Sequence, residues 1–347
     1  MIVLRSLGVY LPRTRMSAAA IAQASGLPEW VVRDKLGIVS KTVPEADDHP
    51  TAMGVQAARD ALARANIPAE AVDVVISITE EYKEYPVWTA GIKLAHDLGA
   101  TQAYAYDLGL KCGTSVLALK QARDLLCADS SVNTVLIAGG YRNSDLIDFG
   151  NPRVRFMFNL AAGGAAAVVQ RSARPNAQPS AQPNAQGAFD ILQAAILTDG
   201  RFSLDVVVPV GGTKAPLNAS NSAQFKLDVT DPEGMKTRLG AHSQNNFLTV
   251  ISQALHKSGY QQSDIAYLAL LHMKRSAHDS LLQALGLRPE QSIYLSDYGH
   301  IGQVDQFLSL KLAQEAGKLR DGDVVVLAAA GVGYVWNAIV LRWREAA

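Results

Sequence analysis

The chain reads as an α/β protein built from two similar halves, and three features of the sequence lead to that class. Near-continuous apolar runs of strand length alternate with segments of three-to-four apolar spacing, the alternation of an α/β fold with mainly parallel pairing. Blocks of the first half recur in the second at a nearly constant offset. Between Tyr104 and Ala128 a short aromatic strand segment hands over to a helical one, with Gly109 and Gly113 flanking the turn and Cys112 inside it.

Taken in order, Ile2 to Leu11 alternates as an opening strand, and Ser17 to Ser25 reads as a short helix with Ser17 as its N-cap. Trp30 to Leu36 follows as another short helix ended by Gly37, and Thr51 to Ala65 is a longer one with Ala, Leu and Val on one face. Val72 to Thr79 is the kind of run that a strand buried on both faces shows. A helix is expected from Tyr85 to Leu98 after Pro86, then the strand at Tyr104 to Leu108, the turn and the helix from Thr114 onward. Thr134 to Ala138 is a buried strand closed by Gly139 and Gly140, and Ala161 to Gln170 ends in another. Arg171 to Gly187 is rich in Pro, Ala, Gln, Asn and Ser and has nothing to bury, which marks a surface linker and a seam near residue 180. Val324 to Leu341 is interrupted by Gly331, Gly333 and Asn337, so it reads as two strands around a turn rather than a membrane span.

The repeat fixes the organisation. Ala61 to Ser77 reappears in pattern as Ala254 to Leu270, Cys112 to Leu126 as His300 to Gly317, and Thr134 to Gly140 as Val324 to Gly331, with offsets between first residues of 193, 188 and 190. A repeat this long implies a duplicated domain related by an approximate two-fold. The expected domains are residues 1–180, which carry the cysteine, and 181–347, which carry two candidate histidines. Cys112 and His300 then occupy equivalent elbows of facing halves.

Composition narrows the function classes. With 347 residues, 48% of them hydrophobic, and 32 basic against 32 acidic side chains, the chain can bury a large core. That balance argues against a nucleic-acid or membrane partner while leaving room for a local basic patch. The two cysteines, Cys112 and Cys127, are roughly 22 Å apart at the helical rise and cannot bond to each other. The N-terminus has too short an apolar run for a signal peptide, and the expected location is the cytoplasm. No Cys-x-x-Cys or paired-histidine spacing suggests a metal, and Gly-Val-Gly near the C-terminus lacks the rest of a dinucleotide fingerprint.

Cys112 sits where unpaired N–H groups and a helix dipole favour an anion, and Lys111 adds a cation that would lower the thiol pKa if its ammonium stays near the sulfur. Cys127, beside Leu125 and Leu126, reads as core filler. The order of Cys112 in its turn, Leu-Leu-His-Met-Lys-Arg around His272, Tyr-Gly-His-Ile-Gly-Gln around His300 and the C-terminal AAAGVGYVWNAIVLRW resembles the thiolase superfamily, nearest to the type III ketoacyl-acyl-carrier-protein synthases. The resemblance covers nearly the whole chain and implies a duplicated thiolase-like α-β-α-β-α sandwich. It implies that Cys112 takes an acyl group and that His272 and His300 assist, His300 standing where asparagine is usual. The acyl oxyanion hole falls, by the same resemblance, to the backbone N–H groups of Cys112 and Val332.

Such residues suit the chemistry. A thiolate captures an acyl thioester covalently, and N–H donors stabilise the enolate left when a malonyl thioester loses carbon dioxide. The resemblance further implies a homodimer and no resident cofactor, with acyl-coenzyme A and malonyl thioesters of coenzyme A or acyl carrier protein as substrates. Trp30 matches a tryptophan that flanks the adenine of coenzyme A, although the arginine of the following Gly-Ile-Arg is Val39 here. Arg153 and Arg155 are the alternative phosphate partners, and Tyr85 matches an aromatic that closes the acyl pocket of the neighbouring subunit. Two other functions stay open: acyl transfer to an oxygen or nitrogen nucleophile with His300 as base, and a non-catalytic subunit of a condensing complex.

Overall fold

The computed structural model describes residues 1–172 and 187–345. The first part contains β1 (Ile2–Tyr10), β2 (Arg15–Ser17), α1 (Ala18–Ser25), β3 (Ser40–Thr42), α2 (Pro50–Ala65), β4 (Val74–Ser77), α3 (Ala90–Leu98), β5 (Tyr104–Asp107), α4 (Thr114–Ala128), β6 (Thr134–Tyr141) and β7 (Gly163–Arg171). The second contains β8 (Ala188–Thr198), β9 (Val206–Val207), β10 (Asp228–Val229), α5 (Pro232–Ser258), β11 (Ile265–Leu270), α6 (Arg275–Ala284), α7 (Asp305–Glu315), β12 (Val324–Gly331) and β13 (Val335–Arg344). The expected seam near residue 180 falls outside the described residues.

Nine strands run in the order β11-β12-β13-β8-β1-β7-β6-β4-β5. The order is a duplication in itself: β1, β4, β6 and β7 of one run correspond to β8, β11, β12 and β13 of the other. Among the described residues, strands of the two runs pair only at Val3↔Asp190 and Leu4↔Phe189. Helices α4 and α7, equivalent in the repeat, both touch strands of both runs and form the middle layer, whereas α2 and α3 cover one outer face and α5 the other. That is the α-β-α-β-α sandwich.

Pairing is mixed rather than mainly parallel. It is parallel only at β4–β5, β4–β6 and β11–β12, among the described strands. Those are the pairs whose connections contain a crossover helix, which parallel strands need. The tight turn between β12 and β13 forces antiparallel pairing, and β6–β7 is antiparallel as well.

Three further expectations change. Strand β6 continues through Gly139 and Gly140, because these residues serve close packing rather than termination. A Cβ on Gly140 would lie 2.2 Å from the Pro50 carbonyl oxygen, and one on Gly164 only 2.4 Å from that of Met53, so α2 rests directly on the sheet backbone. The helix expected from Tyr85 begins at Ala90, and residues 81–87 are bends instead. Cys127 is exposed, since the buried face of α4 runs through Val116, Leu119, Ala122 and Leu126 and the next residue turns away from it.

Candidate active site

The elbow forms because several groups over-determine it. Lys111 is held at φ 51°, a left-handed conformation that costs a non-glycine residue energy and that recurs at functional turns. Thr114 Oγ1 donates to the Lys111 carbonyl at 2.6 Å and accepts from the Leu110 N–H at 2.8 Å, closing the turn from inside. Asn337 Nδ2 donates to the Gly113 carbonyl at 2.8 Å. Cys112 is thereby fixed, buried, one turn before the body of α4. A Cβ on Gly331 would come within 3.0 Å of the Cys112 backbone nitrogen, so the end of β12 approaches the elbow as closely as only glycine permits. Val332 follows and lines the same cavity as Cys112.

His300 reaches the sulfur from the equivalent elbow. Its backbone N–H donates to the Asn159 carbonyl at 2.7 Å and its carbonyl accepts from the Ala161 N–H at 2.8 Å, which anchors the residue on both sides. Its Nε2 lies 3.2 Å from Cys112 Sγ, and its Nδ1 lies 2.5 Å from Asp305 Oδ2. Asp305 opens α7, is fully buried, and also accepts from the backbone N–H groups of Ile301 and His272, each at 2.7 Å. A buried carboxylate with three donors at a helix N-terminus is a satisfied charge. Burial alone would push the His300 pKa down, but the Asp305 carboxylate and the nearby sulfur outweigh it and hold that pKa well above its ordinary value. An imidazolium Nε2–H then donates toward sulfur, and thiolate is the nucleophilic form of cysteine.

His272, expected as a second enolate donor, lines the same cavity. Its Nε2–H donates to the Gly37 carbonyl at 3.1 Å, and its Nδ1 accepts from Asn159 Nδ2 at 2.8 Å. Both ring nitrogens are engaged. Burial depresses its pKa to about 4, so the ring is neutral near pH 7. His272 therefore organises the wall, through a chain from Gly37 to Asn159, whose carbonyl holds His300.

That wall rests on Lys41. Its ammonium is buried and donates to the carbonyls of Phe158 and Leu160 at 2.9 and 2.7 Å, either side of Asn159. Replacing Lys41 by Met strands two buried carbonyls at about 1–3 kcal/mol each. We expect a lower denaturant midpoint with an unchanged m-value and a reduced kcat; a midpoint within error of the parent would contradict this role.

The other expected site residues divide. Arg153 and Arg155 line the cavity, whose volume is about 1150 Å³, but Arg153 is bound to Asp228 at 3.3 Å and to the Val229 and Thr230 carbonyls. Trp30 is 56% exposed and is not part of that wall among the described residues. Tyr85, 65% exposed, borders a separate cavity of about 370 Å³ and stacks edge-on against Trp88. Lys111 does not reserve its charge for the sulfur, because its ammonium bonds the Glu81 carboxylate and lies 3.9 Å from Glu80. Asp305, Asn159 and Lys41 were not expected from sequence. Asp305 alone left a signal, an acid at the start of a helix five residues after His300, and such an acid is ordinarily explained by the helix dipole.

Residues 106–185 match the family described as 3-oxoacyl-[acyl-carrier-protein] synthase III, and residues 255–343 match its C-terminal counterpart. The chain is a ketoacyl synthase III-like protein of the thiolase superfamily. This synthase-like chain is 27% identical over 347 residues to the beta-ketoacyl-[acyl-carrier-protein] synthase III of Rhodospirillum centenum, covering 98% of each. It is 26% identical over 318 residues to that of Symbiobacterium thermophilum, covering 91% of this chain and 89% of the relative. The solved beta-ketoacyl synthase III from Thermus thermophilus superposes with a TM-score of 0.81 at 25% identity over 99% of both chains. Among the described residues of the synthase-like chain, no helix is long and apolar enough to cross a membrane, and no group of three or more His, Cys, Asp or Glu is placed to hold a metal.

Proposed function

We propose that the protein is a condensing acyltransferase that loads an acyl group from a thioester onto Cys112 and joins it to a malonyl thioester with loss of carbon dioxide. The observation that carries the reading is the contact of Cys112 Sγ with His300 Nε2 at 3.2 Å inside a largely apolar cavity. In the first half, sulfur attacks the acyl carbonyl, the backbone N–H groups of Cys112 and Val332 receive the oxyanion, and the donor leaves as a thiol with a proton from His300, which a proton from solvent then restores on Nε2. In the second, the bond to the malonyl carboxylate breaks, its electron pair forms the enolate, and His300 Nε2–H faces the developing oxyanion. The enolate carbon then bonds to the acyl carbon and releases Cys112 as the thiolate, which restores the resting pair with His300. Coenzyme A and carrier-protein thioesters are the proposed donors, with the Arg155 side chain at the cavity wall available to a phosphate.

A second reading is favoured by Asp305. A carboxylate on His300 Nδ1, with both ring nitrogens of His272 held by Asn159 and the Gly37 carbonyl, is the arrangement of a base that takes a proton from an attacking hydroxyl or amine. The acyl group would then move to oxygen or nitrogen without decarboxylation. We further propose a two-fold dimer in the cytoplasm. The exposed apolar side chains of Tyr85, Val87, Ile92 and Tyr104 supply its contact face. Incubation with acetyl and malonyl thioesters tests the first reading. We expect one carbon dioxide per 3-oxoacyl product, and acyl transfer to added amines or alcohols with no carbon dioxide would favour the second.

A further inference from the structure

Glu80 and Asn143 line the same cavity as Cys112 and His300 and take no part in the steps above. The Glu80 side chain is only 5% exposed, yet its Oε1 has no hydrogen-bond partner among the described residues, and neither does the buried Oδ1 of Asn143. What Glu80 does contact is weak. Asn143 Nδ2 is 3.4 Å from Oε2, and the Lys111 ammonium at 3.9 Å belongs to Glu81. Buried acceptors are nearly always satisfied, so two orphan oxygens on one wall of a reaction cavity point to an occupant that donates. Glu80 also borders the smaller cavity beside Tyr85, which places its carboxyl between the two spaces.

Resting on the reading that Cys112 carries an acyl group, we propose that Glu80 and Asn143 form a subsite for an amine or hydroxyl carried by a substrate. The donor group belongs either to the acyl chain being loaded or to the acceptor that removes it. An amine gains most, because burial raises the Glu80 pKa to about 7 and leaves a carboxylate above that pH. The charged and titratable groups around it are Lys111, Glu81, His300 and Tyr141.

Two single-turnover arms separate the sources. In the first, acyl-Cys112 formation is timed with butyryl, 3-hydroxybutyryl and 3-aminobutyryl thioesters. In the second, acetyl-Cys112 is chased with malonyl against aminomalonyl thioester and with propylamine against 1,3-diaminopropane. In one arm the donor-bearing compound should be preferred tenfold or more, and Glu80→Gln should cut that preference by at least tenfold. Equal rates within every pair, or a preference unchanged in Glu80→Gln, would overturn the subsite. Should that variant not fold, the unmodified protein decides: its preference for the amine should rise between pH 6 and 8 as Glu80 ionises, and a flat ratio counts against the proposal. Failure to load any thioester would strike the acyl-enzyme reading instead. Calorimetry of 1,3-diaminopropane binding to Cys112→Ala, weakened by Glu80→Gln if the subsite is real and unaffected if it is not, then still decides.

Discussion

Asp305→Asn is expected to slow acylation of Cys112 by about three to four orders of magnitude, the effect of removing the carboxylate behind a catalytic histidine. The side chain is isosteric, but Ile301 bonds Oδ1 and His272 bonds Oδ2, so its one oxygen keeps only one of these N–H groups, and circular dichroism of the variant checks that the fold survives. What is lost is the negative charge 2.5 Å from His300 Nδ1. Burial then dominates the histidine, whose pKa falls, and the proton it holds toward sulfur is released at lower pH. The pH profile of acyl-enzyme formation should shift together with the rate. A loss under tenfold with an unmoved profile would mean that Asp305 only ties His272 and His300 to α7.

His300→Asn separates the two reactions of the second half. An amide can donate to an enolate oxygen, so a condensing enzyme should keep much of its decarboxylation. An amide cannot accept a proton from a hydroxyl or amine near neutral pH, so an acyl-transfer enzyme should lose on the order of a hundredfold or more. Carbon dioxide release and acyl transfer to added nucleophiles, measured on the same preparations, read the two outcomes. His272 bears on the experiment as well, since its ring nitrogens are held by Asn159 and the Gly37 carbonyl.

Much of this fold is legible in sequence because its signals are local or repetitive. β4 and β6 are buried along their whole length and stand out as apolar runs, and the offset between Cys112 and His300 places both at matching elbows before a structure is consulted. Strand direction was not legible, since apolar runs carry no record of whether the next connection crosses over or turns back. Nor were the groups that finish the site. Lys41 and Glu80 look like surface charges in sequence, yet each is buried by segments more than sixty residues away. Their roles depend on contacts that chain order does not encode. Trp30 and Arg153 were candidates for ligand contact on different grounds, Trp30 by family position and Arg153 as a phosphate partner; local packing leaves Trp30 exposed and pairs Arg153 with Asp228.

The central claim is that Cys112 carries the acyl group, and intact-protein mass spectrometry after incubation with acetyl- or butyryl-coenzyme A tests it most directly. The exposed thiol of Cys127 provides an internal control for nonspecific acylation. The unmodified protein should gain one acyl mass, located on the peptide containing Cys112, and Cys112→Ala should gain none. An acyl mass that persists in Cys112→Ala, or that maps to Cys127, would contradict the account.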